Sequence, residues 1–102
     1  MKEPTSIQVN AEFTRLFGGD TAIVAGLMAT NGNQWVTPKE ISEVTWFSTP
    51  KIYRCVNTLL AEKVPLGIFD KSILIIDGKV RTVYRLTDSA YDFSKKKVKN
   101  GL

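Results

Sequence analysis

The chain contains no histidine and a single cysteine, Cys55, and these absences remove much enzymatic and metal-binding chemistry before any pattern is considered. Without histidine, the most frequent general base and the imidazole ligand of mixed zinc sites are missing. A lone thiol has no intrachain disulfide partner, which gives secretion no support. There is no glycine-rich phosphate loop, and no serine is accompanied by an evident base, so the usual nucleophilic and phosphoryl-transfer constellations are absent. Glu40 and Glu43 have the chemistry for acid–base work, but they fall on an exposed-looking helix start where a capping role and solvation are expected. No apolar run approaches the roughly 20 residues that span a bilayer. The segment Met1 to Val9 has neither the charge pattern nor the apolar stretch of a signal peptide. The expectation is a cytoplasmic, non-enzymatic protein with no membrane segment, no cofactor, no metal and no evident small-molecule ligand.

What is present suffices for one core. A 102-residue chain with 43% hydrophobic residues can close a single domain unaided. That domain is expected to have its core at about residues 20–93, followed by a basic tail over 95–102. The net charge of +4 is unevenly placed. Residues 1–46 hold three basic and five acidic side chains, residues 47–86 seven and three, and residues 87–102 four lysines against Asp88 and Asp92. The positive field therefore lies in the second half, where a polyanion such as DNA would be drawn by counterion release.

Glycine, proline and capping residues punctuate the chain. Asn10 to Phe17 reads as a short helix stopped by Gly18-Gly19. Asp20 then offers a cap to a helix running to about Thr30, with Ile23, Val24, Leu27 and Met28 at core spacing. Asn31-Gly32-Asn33 ends it, and Trp35-Val36 adds a short extended piece. Thr37-Pro38-Lys39-Glu40 has the form of a capping box with proline at the first helical position. That helix is short, because Ser48-Thr49-Pro50 starts another soon after. From Thr49 to Lys63 the apolar residues Ile52, Val56, Leu59 and Leu60 recur on one face, and Val64-Pro65 is expected to end the helix.

The period then changes. Ile68-Phe69 and Ile73 to Ile76 read as extended, and Asp77-Gly78 is a two-residue hairpin turn whose positions both tolerate positive φ. This turn sets Ile75 opposite Val80 and Ile73 opposite Thr82. Ile73, Ile75, Val80 and Tyr84 then share a face expected to be buried, while Lys79, Arg81 and Arg85 charge the other. Thr87 or Asp88 can cap a last helix carrying Ala90, Tyr91 and Phe93.

The order is helix, short helix, tight turn, amphipathic helix, hairpin and terminal helix. In that order, over roughly Asp20 to Phe93, the chain resembles the winged helix-turn-helix family of DNA-binding proteins. The likeness rests on the box Thr37 to Glu40, the helix start Phe47-Ser48-Thr49-Pro50-Lys51-Ile52-Tyr53-Arg54, and Tyr84-Arg85-Leu86-Thr87 closing the hairpin. It implies an α+β fold with a C-terminal β-hairpin wing and flanking N- and C-terminal helices. It also implies that the third helix enters the major groove while the hairpin touches backbone or minor groove. Ser48, Thr49, Lys51, Tyr53, Arg54 and Asn57 would then face double-stranded DNA, with Lys79 and Arg81 on the wing.

Elementary chemistry agrees with those assignments. A helix N-terminus favours phosphate, Ser48 and Thr49 are short donors, and the planar fork of Arg54 matches guanine O6 and N7, whereas Lys51 suits base or phosphate. Tyr53 can stack, donate to phosphate or pack on the wing. Two departures stand out: the turn reads Thr45-Trp46-Phe47 where glycine is frequent, and the third helix closes with Lys63-Val64-Pro65. Trp46 is expected as a core or interface aromatic.

The implied function is sequence-specific transcription regulation by a homodimer. The apolar residues Ile7, Val9, Phe13, Leu16, Phe17, Tyr91 and Phe93 of the terminal segments are expected to join its copies, unless the two terminal helices pack together within one chain. An alternative is a centromere-binding adaptor for plasmid or phage segregation, since length, the Ser48-to-Asn57 helix start and the lack of an effector domain are similar to the small winged-helix binders of tubulin-type partition systems. A second alternative is a protein-contact module that does not bind DNA.

Overall fold

The computed structural model describes Ile7 and residues 9–100, with backbone alone over 96–100; the rest of the segment Met1 to Val9, the side chains of Lys96, Lys97 and Lys99, and the last two residues of the expected tail lie outside the described residues. The described chain is α+β: α1 (Ala11–Phe17), α2 (Gly19–Thr30), α3 (Pro38–Thr45), α4 (Thr49–Thr58), β1 (Phe69–Ile76), β2 (Lys79–Leu86) and α5 (Asp88–Asn100). The strands form one antiparallel two-stranded sheet.

Each start has a local cause. The Asn10 carboxamide accepts from the amides of Glu12 and Phe13 at 2.8 and 3.1 Å, capping α1. The expected cap on α2 is corrected: Gly18, at φ 95°, is the N-cap, and Asp20 sits inside the first turn. At α3 both halves of the capping box form, with Glu40 N donating to Thr37 Oγ1 at 3.1 Å and Thr37 N to Glu40 Oε1 at 2.9 Å. Thr87 Oγ1 accepts from Ala90 N at 3.1 Å and so caps α5, which continues as helix to Asn100 where a tail was expected.

The core centres on α2. Thr21, Ala22, Val24, Ala25, Gly26, Leu27 and Met28 are all buried, so burial extends well beyond the single stripe read from spacing, as expected of a helix surrounded by others. Ile41 of α3, Ile52 and Val56 of α4, Phe69 of β1 and Tyr84 and Leu86 of β2 close around it. Phe13 is buried, and its ring stacks on Phe93 of α5 at 5.6 Å. Much of the apolar surface expected to join two copies therefore meets within one chain.

Between α3 and α4 lie three residues, Trp46 to Ser48. Trp46 adopts the left-handed conformation (φ 65°) and is 89% exposed, which excludes the core alternative of the core or interface role expected for it. Hydroxyls hold the turn: Ser42 Oγ donates to the Phe47 carbonyl at 2.7 Å, and Phe47 N donates to Thr45 Oγ1 at 3.2 Å. These bonds substitute for the conformational freedom glycine would bring.

α4 is shorter than its apolar pattern. α4 stops at Thr58, not near Lys63, because Leu59 and Leu60 turn to pair with the start of β1. Ile68 N and Phe69 N donate to the Leu59 carbonyl, at 2.9 and 3.1 Å, and Ala61 N donates to that of Phe69 at 2.9 Å. Gly67 permits this approach: a Cβ there would lie 2.5 Å from the Leu60 carbonyl carbon and the Ala61 nitrogen.

The hairpin keeps the expected register, Ile75 opposite Val80 and Ile73 opposite Thr82, with Asp77 and Gly78 at φ 52° and 76°. Val36 adds one antiparallel bridge to Tyr84, with bonds of 3.0 and 2.8 Å. The Asn33 side chain extends this pairing, exchanging two buried bonds of 2.9 and 2.8 Å with Leu86. Burial of one whole face is not found. Phe69, Tyr84 and Leu86 are enclosed, whereas Ile73, Ile75 and Val80 are exposed. Alternation sets which residues share a face, but burial needs an element lying over it, and the far half of the ribbon projects past its cover.

Candidate nucleic-acid interface

α4 presents the side chains singled out in the sequence. Ser48 caps it with an extended backbone, its hydroxyl accepting from Lys51 N at 3.4 Å, and Pro50 occupies the first turn where no intrahelical donor is required. Ile52 and Val56 are fully buried and fix the orientation of the helix. The opposite side then shows Thr49, Tyr53, Arg54 and Thr58 to solvent.

These residues fall on two flanks. On the hairpin side a cleft is lined by Thr37 to Glu40, Thr49, Tyr53, Ile76, Val80, Arg81 and Thr82. On the other side a second cleft involves Gly18 to Thr21, Lys51, Arg54, Cys55 and Thr58. Thr49, Tyr53 and Arg81 are thus brought together, Lys51 and Arg54 are grouped beyond them, and Lys79 stands exposed beside the hairpin turn on the face that carries Arg81.

Individual contacts refine the expected roles. Lys51 Nζ lies 3.1 Å from Asp20 Oδ2 and 4.4 Å from the centre of the Phe47 ring, so its charge is already matched within the chain. Both partners remain substantially solvated, and such a pair contributes only about 0–1 kcal/mol. Arg54 is exposed and has no ion pair among the described residues. Of the alternatives open for Tyr53, packing on the hairpin is observed: its ring meets Tyr84 edge-on at 6.4 Å. Asn57 Oδ1 accepts from the Tyr84 hydroxyl at 3.3 Å, which occupies its acceptor and leaves its amide donors. Burial, with a smaller effect from neighbouring Tyr53, pushes the Tyr84 phenol above its ordinary pKa.

Lys39 was not singled out from the sequence, yet it is exposed and lines the same cleft as Arg81. The start of α3 reaches β2 through the bridge between Val36 and Tyr84, a pairing across 48 positions with no local signature. Arg85 departs from the exposed charged face: its guanidinium stacks on Trp35 at 4.1 Å and its Nε is enclosed. Among the described residues, no cluster of potential metal ligands occurs and no helix is long and apolar enough to cross a membrane. No family model, curated protein or solved structure matches this chain.

Proposed function

We propose that the chain is a winged helix-turn-helix protein that binds double-stranded DNA, with α4 in the major groove and the β1–β2 hairpin as the wing. The observation that carries this reading is the solvent side of α4. It bears Lys51 and Arg54 on one flank and Thr49 with Arg81 and Lys39 on the other, on a short helix joined to α3 by a three-residue turn. Arg54 is the base reader, Thr49 and the capped first turn approach phosphate, and Lys39, Lys79 and Arg81 supply backbone contacts. Lys51 joins them by exchanging Asp20 for phosphate, an exchange that the weak exposed pair permits.

One α4 reads few base pairs, so two copies per site are proposed, acting as a sequence-specific transcription regulator. A segregation adaptor is the alternative. Inverted repeats upstream of the gene favour regulation of its own promoter, and a tandem array of short repeats favours the adaptor.

Duplex titrations at several salt concentrations test DNA binding itself. With three to five cations on phosphate from each of two copies, log affinity for the site is expected to fall against log salt with a slope of about −5 to −9. A salt-independent affinity, or no binding to any duplex at low salt, transfers the proposal to the protein-contact module.

A further inference from the structure

The far half of the hairpin bears aliphatic side chains to which the proposed DNA contact assigns no role. Ile73, Ile75 and Val80 are 62%, 75% and 70% exposed on one face, and Leu74 and Ile76 are 36% and 38% exposed on the other. The run Ser72 to Ile76 has no charge, proline or glycine, which is the composition of a strand open to pairing. Its outer edge is free beyond Phe69, where Leu60 forms a bridge; from there β1 has β2 as its sole strand partner among the described residues. A two-residue turn makes Ile76 and Lys79 a hydrogen-bonded pair, so alternation directs the backbone groups of Lys71, Ile73 and Ile75 away from β2. Phe69, of the same parity, does bond outward to Leu59 and Ala61.

We propose that a second copy of this chain docks on that edge, β1 against β1 in antiparallel sense, with a two-fold axis at Leu74 and one continuous four-stranded sheet as the product. This register opposes Ile73 to Ile75 of the other copy in hydrogen-bonded pairs and Leu74 to its own equivalent in a non-hydrogen-bonded pair. It also sets Lys71 of each copy across from Asp77 of the other, giving opposite charges at both ends of the joint. Axes at Ile73 or Ile75 preserve the hydrogen bonding but set Lys71 against Ile75, or Asp77 against Ile73. The β2 edge fits this role poorly. Thr37 to Glu40 line a cleft with Val80 to Thr82, and pairing about Val80 or Arg81 would oppose Lys79 to Arg81 or Arg81 to itself. In the joined sheet, Ile73, Ile75 and Val80 of the two copies form one aliphatic strip.

The inference does not depend on DNA binding and is tested without DNA, on the full chain. In a Cys55→Ser background, Leu74→Cys under mild oxidation is expected to form a disulfide-linked dimer, because the two thiols meet at the axis with the close spacing of a non-hydrogen-bonded pair. Ile76→Cys, similarly exposed but displaced from the axis, is expected to crosslink far less. Wild-type protein is expected to sediment as a dimer at micromolar concentration. The double substitution Ile73→Lys and Ile75→Lys is expected to weaken association about tenfold or more, since lysines then oppose one another. A persistent wild-type monomer overturns the proposal. So does a Leu74→Cys chain that crosslinks no better than Ile76→Cys, or a dimer indifferent to the lysine pair. Failure of duplex binding by an intact dimer counts against the DNA reading alone.

Discussion

Arg54 and Arg81 carry the same charge on elements for which different tasks are proposed, and substitution should separate them. Arg54→Ala is expected to lose about 1–3 kcal/mol at a cognate site and relax one base position, whereas Arg81→Ala and Lys79→Ala weaken all sequences alike. Anisotropy titrations over a panel of duplexes check the contrast; altered preference from the hairpin substitutions, with Arg54→Ala silent, would interchange the two elements. Asp20→Asn removes a carboxylate from the proposed surface and releases Lys51, so duplex affinity should rise, by up to about fivefold if the pair is worth about 1 kcal/mol. Unchanged or weaker binding in the same titration would remove Lys51 from the interface. Tyr84 offers a pH test. Its phenol is raised in the folded chain, so its contribution is complete below the ordinary tyrosine pKa of 10.0 and is lost as pH rises above that value. Urea midpoints should therefore fall less in alkali for Tyr84→Phe than for wild type, after the variant has lost about 0.5–1.5 kcal/mol with its bond to Asn57.

At the scale of elements, boundaries set by local chemistry were legible, including the ends of α1 at Phe17 and α2 at Thr30, whereas the end of α4 was not. The boxes and caps at Thr37, Ser48 and Thr87 are local chemistry, and so is the Asp77-Gly78 turn that fixed the hairpin register. The end of α4 is set instead by the pairing of Leu60 with Phe69; Leu59 and Leu60 continue the helical apolar stripe, so spacing alone could not reveal the stop. Gly67 was the available signal, but its need is steric and appears only when the two segments meet. Gly67→Ala is accordingly expected to destabilise the fold by about 1–3 kcal/mol or more in urea denaturation, since the added carbon would lie 2.5 Å from backbone atoms. Wild-type stability in that variant would contradict the close approach. Trp46→Gly should act oppositely. It relieves a left-handed tryptophan with few contacts to lose, so stability should hold or rise by up to about 1 kcal/mol. A clear loss would show that the exposed indole supports the turn.

At the scale of the molecule, the basic excess after residue 46 pointed to one half of the chain, and folding distributes it around α4: Lys51 and Arg54 on one flank, Arg81 on the other, with Lys39 supplied from the acidic half. Sequence patterning placed Ser48 to Asn57 at one capped helix because helical period and caps are local. It could not supply Lys39 or the partnership of Lys51 with Asp20, which depend on how α2 and α3 pack against α4. The central claim is that this composite face binds duplex DNA, and amide chemical-shift mapping of labelled protein titrated with duplex at low salt tests it most directly. Perturbations are expected to concentrate at Ser48 to Asn57, Lys39 and Lys79 to Arg81, and to fade with added salt. Shifts confined to α1 and α5, with α4 silent under saturating duplex, would contradict it.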